Sequence, residues 1–571
     1  MSSLHRLMAV CCLALAGPVA AQSADPVVDA PSGAVKGQAD GDIRVFKGIP
    51  YAVPPVQGMR WRPPAPLQRW QGVRTATAFG PACVQPQGSK LSSIYSGDPM
   101  PVSEDCLTLN IWAPANAKNA PVFFWIHGGA LVGGSSREAT YDGKRMAERG
   151  VIVVSINYRL GVLGWLAHPG LSAESPQHVS GNYGLLDQIA ALQWVRHNIA
   201  AFGGDPAKVT IAGESAGGLS VMYLLESPLA RGLYSKAIAE SGYMISMPEL
   251  KKAVYGAPSG EGAGQMLAGA LQAPDIATLR GMDAQTLTNS AAAMGFGPWG
   301  VVDGVVLKEQ MVSAFDAGRQ APVPLLIGFN QGEIRSLTVL APKAPATAAE
   351  YEQGIRSRYG DLAEAFLRLY PTADYKESIL ATTRDGLYGW TAERMARKQT
   401  AIGQPAYLYL FDHGYPAADS AGLHAFHASE LPFVFGTFDG TPPRWPKVPD
   451  TAPERALSDA MLDYWASFAR DGQPVAAAAP AWPAYGSAGA YMHFTDTPHP
   501  ETGLMPGMYA LNEAVMCRKK GTGKIAWNWN VGLVFPPTPT KSDTFPLGGG
   551  GGEKSFPPSF LCRGGRHSAA F

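Results

Sequence analysis

The stretch Val209-Thr-Ile-Ala-Gly-Glu-Ser-Ala-Gly-Gly218 decides the reading of this chain. A short β-branched run feeds a Gly-x-Ser-x-Gly turn, and the apolar pattern Leu219 to Leu225 follows it. Strand, tight turn and helix in that order are what a nucleophile elbow requires. Gly213 and Gly217 flank the serine because strand and helix backbones must pass closely there. Ser215 is therefore expected at a helix N-terminus, where free N–H groups and the helix dipole favour negative charge. The pentapeptide alone carries little weight in a chain with 65 glycines; its flanks carry the argument.

Upstream, Ala120-Pro-Val-Phe-Phe-Trp-Ile126 and Val151-Ile-Val-Val-Ser-Ile-Asn157 are continuous apolar runs, like the run into the elbow. Such runs suit central parallel strands covered on both faces. Helical patterns lie between them at 142–149 and 184–200, the second with Leu185, Leu186, Ile189, Leu192 and Val195 apolar. Strands alternating with helices indicate an α/β sheet. Further strands are expected at 324–328 and 406–411, and an amphipathic helix at Glu454 to Arg470. Helix-rich insertions at about 246–320 and 345–402 are too long for loops and predict a helical cap beside the sheet. Residues 27–80 read as a twisted hairpin set.

The ends read differently. His5 and Arg6, an apolar run from Leu7 to Ala16 and then Gly-Pro-Val-Ala-Ala21 form a signal-peptide pattern over 1–21, with cleavage after Ala21. Only four residues separate Cys11 from Arg6, which leaves no apolar core for a lipoprotein anchor. No later stretch reaches the ~20 apolar residues of a membrane span, so a secreted or periplasmic protein is expected. The catalytic domain is assigned to 22–535. Residues 536–571, Pro/Gly-rich and poor in aliphatic side chains, read as a disordered tail.

Charge is balanced at 46 positive and 46 negative residues, so nothing marks a nucleic-acid or anionic-membrane partner. Of six cysteines, Cys83, Cys106, Cys517 and Cys562 remain after export. None has Cys-x-x-Cys spacing or a nearby histidine to complete a zinc set. Cys83 and Cys106 close a short loop and are the natural disulfide of an oxidising compartment, contributing roughly 3 kcal/mol.

A serine nucleophile needs a base, an orienting acid and oxyanion donors. Trp125-Ile-His-Gly-Gly-Ala-Leu131 ends an apolar strand with two glycines, where an oxyanion loop would sit. Gly129 and Ala130, with Ala216, are assigned as donors, and Gly128 shapes the loop. Two histidines, His424 and His427, compete for the base. Glu333 follows the strand at 324–327, the expected place for the acid, with Asp303 and Glu309 as alternatives.

The chain resembles the type-B carboxylesterase and cholinesterase family, of α/β-hydrolase fold, over roughly residues 28–510. The resemblance rests on Gly48-Ile-Pro-Tyr-Ala with Pro54-Pro55, Glu104-Asp-Cys-Leu-Thr-Leu-Asn110, His127-Gly-Gly-Ala130 and Asn157-Tyr-Arg-Leu-Gly161. It continues through Gly181-Asn-Tyr-Gly-Leu-Leu-Asp-Gln188, Phe202-Gly-Gly-Asp-Pro206 and Gly213-Glu-Ser-Ala-Gly-Gly218. It implies a large, mixed, mostly parallel sheet flanked by helices, and a secreted bacterial-type carboxylesterase. It selects Glu333 as the acid, although the usual Asp-Glu-Gly is here Gly332-Glu-Ile334. It selects His427, nine residues before the glycine of Phe-Val-Phe-Gly436, as the base, and leaves His424 a bystander. It further implies an Arg60–Glu104 salt bridge, the Cys83–Cys106 disulfide and supporting roles for Glu214 and Ser241.

The implied reaction is acyl transfer to Ser215 from a small-molecule ester, with no metal and no organic cofactor. Cholinesterases of the family carry a tryptophan between the two cysteines for cation–π contact. Here that loop has Tyr95 and no tryptophan, so choline esters are not expected. Phe296 and Trp299 are candidates for an acyl pocket or for core packing. The ester itself, with xenobiotic, mycotoxin and polyester substrates open, and the oligomeric state are not encoded in any motif. A thioesterase or peptidase would share this machinery, whereas a non-catalytic binding relative would lack part of the triad.

Overall fold

Alternate residues of the central strands face two different cores, which is why their sequences are apolar throughout. The computed structural model describes residues 25–87, 94, 95, 97 and 100–522. In the strand Ala120–Ile126, Val122, Phe124 and Ile126 pack into one cluster with helices Tyr183–Asn198 and Ala216–Glu226. Phe123 and Trp125 enter the opposite cluster, with Leu457, Met461, Trp465 and Phe468 of helix Ala452–Asp471. A strand covered on both faces cannot alternate in polarity.

These strands belong to an eleven-stranded sheet among the described residues. Its centre is parallel: Ile152–Ile156, Ala120–Ile126, Gly204–Glu214, Lys236–Glu240, Leu325–Asn330, Ala406–Phe411 and Ala490–Phe494 lie side by side in that order. Antiparallel strands close both edges, Thr108–Pro114, Ile43–Pro50 and Gln38–Asp40 at one and His499–Thr502 at the other. The fold is the expected α/β-hydrolase architecture.

The expected elements are present with shifted limits. The run into the elbow is part of a longer strand, Gly204–Glu214, with a register shift between Gly204 and Val209. The helix expected at 142–149 is only Lys144–Ala147. Its N-cap Gly143 approaches Val153 so closely that an added Cβ would lie 2.7 Å from the valine Cβ.

The first insertion folds as helices Gly260–Ala270, Ile276–Gly281 and Ala284–Ala293, packed with Val162 and Leu163 in a cluster of their own. The second forms Ala348–Tyr359, Ala363–Leu369 and Tyr375–Arg384, which pack together with Leu511 of helix Met508–Thr522. That last helix and the edge hairpin at 490–502 were not anticipated from sequence. The signal segment 1–21 and the tail 536–571 lie outside the described residues.

Two motifs shared with the family meet in one buried ion pair. Arg159 binds Asp187 at 2.7 Å and 2.8 Å through two guanidinium nitrogens, and its backbone N–H donates to the same carboxylate at 3.0 Å. The side chains are 4% and 0% exposed, so neither charge has water as an alternative. Asp187→Ala leaves the guanidinium buried and unpaired and is expected to cost about 3–5 kcal/mol. Denaturant unfolding checks this, and an unchanged midpoint would exclude it.

Candidate active site

The elbow has the geometry its sequence requires. Ser215 sits at φ 57° and ψ −119°, between strand Gly204–Glu214 and helix Ala216–Glu226. A non-glycine residue in that region is strained and persists only where surrounding structure enforces it. The enforcement comes from packing: a Cβ on Gly217 would lie 2.0 Å from the carbonyl oxygen of Ile126, and one on Gly213 2.6 Å from the Gly217 backbone. The Ser215 N–H donates to Glu240 O at 2.9 Å. Its side chain is half-buried, open to an entering substrate.

The loop after Ile126 turns through three consecutive left-handed residues, Gly129, Ala130 and Leu131, at φ 100°, 56° and 59°. Among the described residues, the N–H groups of Gly129, Ala130 and Ala216 donate to no protein acceptor. Consecutive free backbone N–H groups in such a turn are able to receive an anion. Gly128 brings the loop against the elbow, since a Cβ there would stand 3.2 Å from that of Ser215.

His127 buttresses the loop from behind. Its ring stacks on Tyr158 at 4.6 Å, its carbonyl accepts from the Tyr158 hydroxyl at 2.9 Å, and burial lowers its pKa to about 4. The sequence reading used Gly128 and Gly129 but assigned His127 no part.

The acid and base fall together. His427 Nδ1 and Glu333 Oε2 are 2.5 Å apart, with side chains 7% and 0% exposed. The other oxygen of Glu333 accepts from the Ser241 hydroxyl at 2.6 Å and from the Asn330 N–H at 2.9 Å. These donors satisfy the second oxygen of a buried carboxyl group that has no water to turn to.

Gly332, which departs from the family's aspartate, has a structural reason. Its N–H donates to Ala425 O at 2.7 Å, and a Cβ would lie 2.7 Å from Leu423 O. Glycine there lets the acid loop lie against the base loop.

The competitors are engaged elsewhere. His424 bonds Asp419 and Asp412 at 2.8 Å and 3.0 Å. Asp303 accepts three backbone N–H groups of its own turn, at Val305, Val306 and Leu307. Glu309 pairs with Arg319.

On the substrate side, His427 Nε2 stands 3.1 Å from Glu214 Oε1. The alignment is not that of a hydrogen bond, and Glu214 Oε1 has no such partner. Burial raises the Glu214 pKa to about 7. Burial acts to lower that of His427, but Glu214 and Glu333 outweigh it and leave the value raised. The Glu214 carboxyl and the imidazole thus influence each other's charge across 3.1 Å.

Three neighbours escaped the sequence reading. Tyr95, noted there only as standing where no tryptophan does, donates its hydroxyl to His427 O at 2.8 Å and sets its ring edge-on to the imidazole. Tyr388 lies 5.5 Å from the same ring, on the π-helical segment Asp385–Gly389 of the second insertion. Glu430 is fully buried and bonds the Asn330 side chain, which also donates to Phe426 O at 2.8 Å. Burial holds its carboxyl well above the usual range. Phe296 and Trp299 are half-buried against the main core.

Two covalent or ionic ties hold the rim. Cys83 and Cys106 are bonded, with a sequence separation of 23. Arg60 holds Glu104 through two contacts of 2.7 Å and caps the carbonyls of Arg280 and Met282 at 3.1 Å and 2.8 Å, tying the first insertion to the disulfide loop. The expected disulfide and salt bridge are thus both present.

A model of the carboxylesterase family matches residues 24–510. Fumonisin B1 esterase of Sphingopyxis macrogoltabida is 37% identical over 510 residues, covering 84% of this chain and 89% of the relative. Para-nitrobenzyl esterase of Bacillus subtilis (strain 168) is 39% identical over 471 residues, covering 80% and 92%. A solved PNB esterase superposes with a TM-score of 0.72 at 34% identity, covering 85% of this chain and 99% of the other. A carboxylesterase of Geobacillus stearothermophilus gives 0.69 at 35% identity, covering 85% and 99%.

Proposed function

The chain belongs to the carboxylesterase family and is an ester hydrolase, and from that premise we propose that Ser215, His427 and Glu333 are its catalytic triad. The observation that carries the reading is the buried His427–Glu333 contact of 2.5 Å, with the other imidazole nitrogen 3.1 Å from Glu214, the residue before the strained serine. His427 takes the Ser215 proton as Oγ attacks the ester carbonyl carbon. The oxyanion is received by the N–H groups of Gly129, Ala130 and Ala216. Collapse breaks the bond to the alcohol oxygen, which leaves with the proton from His427. Water, deprotonated by His427, then attacks the acyl-enzyme, and Ser215 regains its proton as the acid leaves. Glu333 keeps the imidazole in the Nδ1–H tautomer with Nε2 free for these transfers.

Acyl-enzyme chemistry is tested with p-nitrophenyl esters of rising acyl length. A burst of p-nitrophenol equal to the enzyme concentration is expected for at least one of them. Failure to cleave any would sink the reading. The likeness to fumonisin B1 esterase favours, as a second reading, a mycotoxin ester as substrate, and fumonisin B1 in the same panel decides between them. Export through residues 1–21 is supported by the apolar run after Arg6 and by the disulfide. A mature N-terminus at Gln22 is the expected result of terminal sequencing.

Glu214→Gln tests the electrostatic coupling across the site. Removing the carboxylate removes a charge that stabilises the imidazolium, so the pKa of His427 falls. Neutral His427, the form able to act as base, is then reached at lower pH. The acid limb of the kcat/KM profile is expected to move toward lower pH, and a limb that stays or moves upward would contradict the proposed coupling.

A further inference from the structure

The strongest site outside the elbow lies at the far edge of the sheet, on the antiparallel pair Ala490–Phe494 and His499–Thr502. His493 pairs directly with His499 across the two strands, and Tyr491 with Glu501. Residues two apart on a strand share a face, so all four side chains stand on one side of the hairpin. His493 Nδ1 and His499 Nε2 lie 3.2 Å and 2.9 Å from the same oxygen, Glu501 Oε1.

We propose that His493, His499 and Glu501 form a binding site for a divalent transition-metal ion of the zinc type.

The ligand-presenting atom of each residue is fixed by a partner on its other side. His493 Nε2 meets Asp412 Oδ2 at 3.0 Å, and His499 Nδ1 meets the carbonyl of Thr497 at 3.0 Å. Both partners only accept, so each outer nitrogen carries a hydrogen, and each inner nitrogen, once its own proton is displaced by an entering cation, presents a lone pair. Glu501 Oε2 is held by the Tyr491 hydroxyl at 2.5 Å, which leaves Oε1 facing the imidazoles. Three possible ligand atoms thus converge within 4.8 Å of one another, an arrangement that a cation at its centre would complete. Such outer partners are what orient metal-binding histidines and carboxylates.

The size fits. Zinc bonds of about 2.0–2.1 Å in a tetrahedron place ligand atoms roughly 3.3–3.4 Å apart, close to the observed 3.2 Å and 2.9 Å. Two imidazoles and one carboxylate suit zinc or a similar ion better than magnesium or calcium, which prefer oxygen alone. The side chains are 17%, 45% and 41% exposed, so an ion can enter and water can fill the fourth position. A bound ion would clasp the otherwise exposed edge strand to its neighbour. Asp412 also bonds His424 at 3.0 Å, so the clasp adjoins the loop that carries His427.

The test uses the full-length mature protein without a histidine tag, stripped with a chelator and titrated with Zn²⁺ against a fluorescent indicator. The expected result is one equivalent of Zn²⁺ bound by the wild type and lost in His499→Gln and in Glu501→Gln, both of which keep wild-type ester hydrolysis. Asp412→Asn is expected to retain the site with affinity weakened about 10–100-fold, a loss that a purely structural hairpin contact would not produce. Equal Zn²⁺ binding by wild type and His499→Gln overturns the proposal, as does a wild type that binds none.

Discussion

Ser215→Ala is expected to lower kcat by about 10⁶-fold on every ester the protein cleaves, and His427→Ala to do much the same, by analogy with triads in which either loss removes the whole nucleophilic route. His427 sits against buried Glu333 on one side and Glu214, the residue before Ser215, on the other, and is therefore the proposed acceptor of the serine proton. The double variant should be no worse than either single one, because each step fails once one partner is missing. His424→Ala is the internal control. It bonds Asp412 and Asp419, away from Glu333, and its loss should leave kcat/KM within a few-fold of wild type. Steady-state kinetics on p-nitrophenyl butyrate separates the outcomes. A His424 variant as inactive as the His427 variant would reverse the assignment of the base.

Glu333→Gln is expected to reduce kcat by about 10⁴-fold while KM changes little, the effect known for the equivalent acid-to-amide change in a serine protease. The amide keeps the volume of the side chain but brings an N–H donor into a site built of donors. Ser241 and the Asn330 N–H both point at Oε1, so the amide would place its oxygen there and turn its NH₂ toward His427. Nδ1 would then have to accept, and the proton would move to Nε2, where it blocks the uptake of the serine proton. Binding of the ester, made elsewhere, should survive. A variant that keeps more than about a tenth of wild-type kcat would mean that Glu333 does not orient the base.

Much of the site was legible because it is local. The elbow, the glycine loop and the strand that presents the acid are each a short segment whose chemistry and backbone demands appear as spacing. Gly213, Gly217 and Gly128 are required by close approach over a few residues, so they show as motifs. The choice between His424 and His427 was not local. Bottom-up reading left both open, and the resemblance chose the one that the fold sets against Glu333.

Tyr95 and Tyr388 carried no signal at all. Their rings reach His427 from the disulfide loop and from a π-helical turn of the second insertion, at sequence separations where periodicity says nothing. Glu430 stood in the quoted histidine stretch, but its meaning depends on total burial beside Asn330. The same holds for the proposed metal clasp: the cysteines carry no metal-ligand spacing, while His493 and His499 become a pair only through antiparallel register.

By itself, then, the sequence determined the α/β plan and the serine at its elbow, and pointed to the proposed oxyanion loop and, through family likeness, the proposed acid and base, because each lies in contiguous residues with narrow steric needs. The tertiary structure alone decided the protonation environment of that machinery. Folding brings Glu214 and Glu333 against one imidazole, and the strength of a charge–charge interaction depends on distance and water exclusion, neither of which is written in the order of residues.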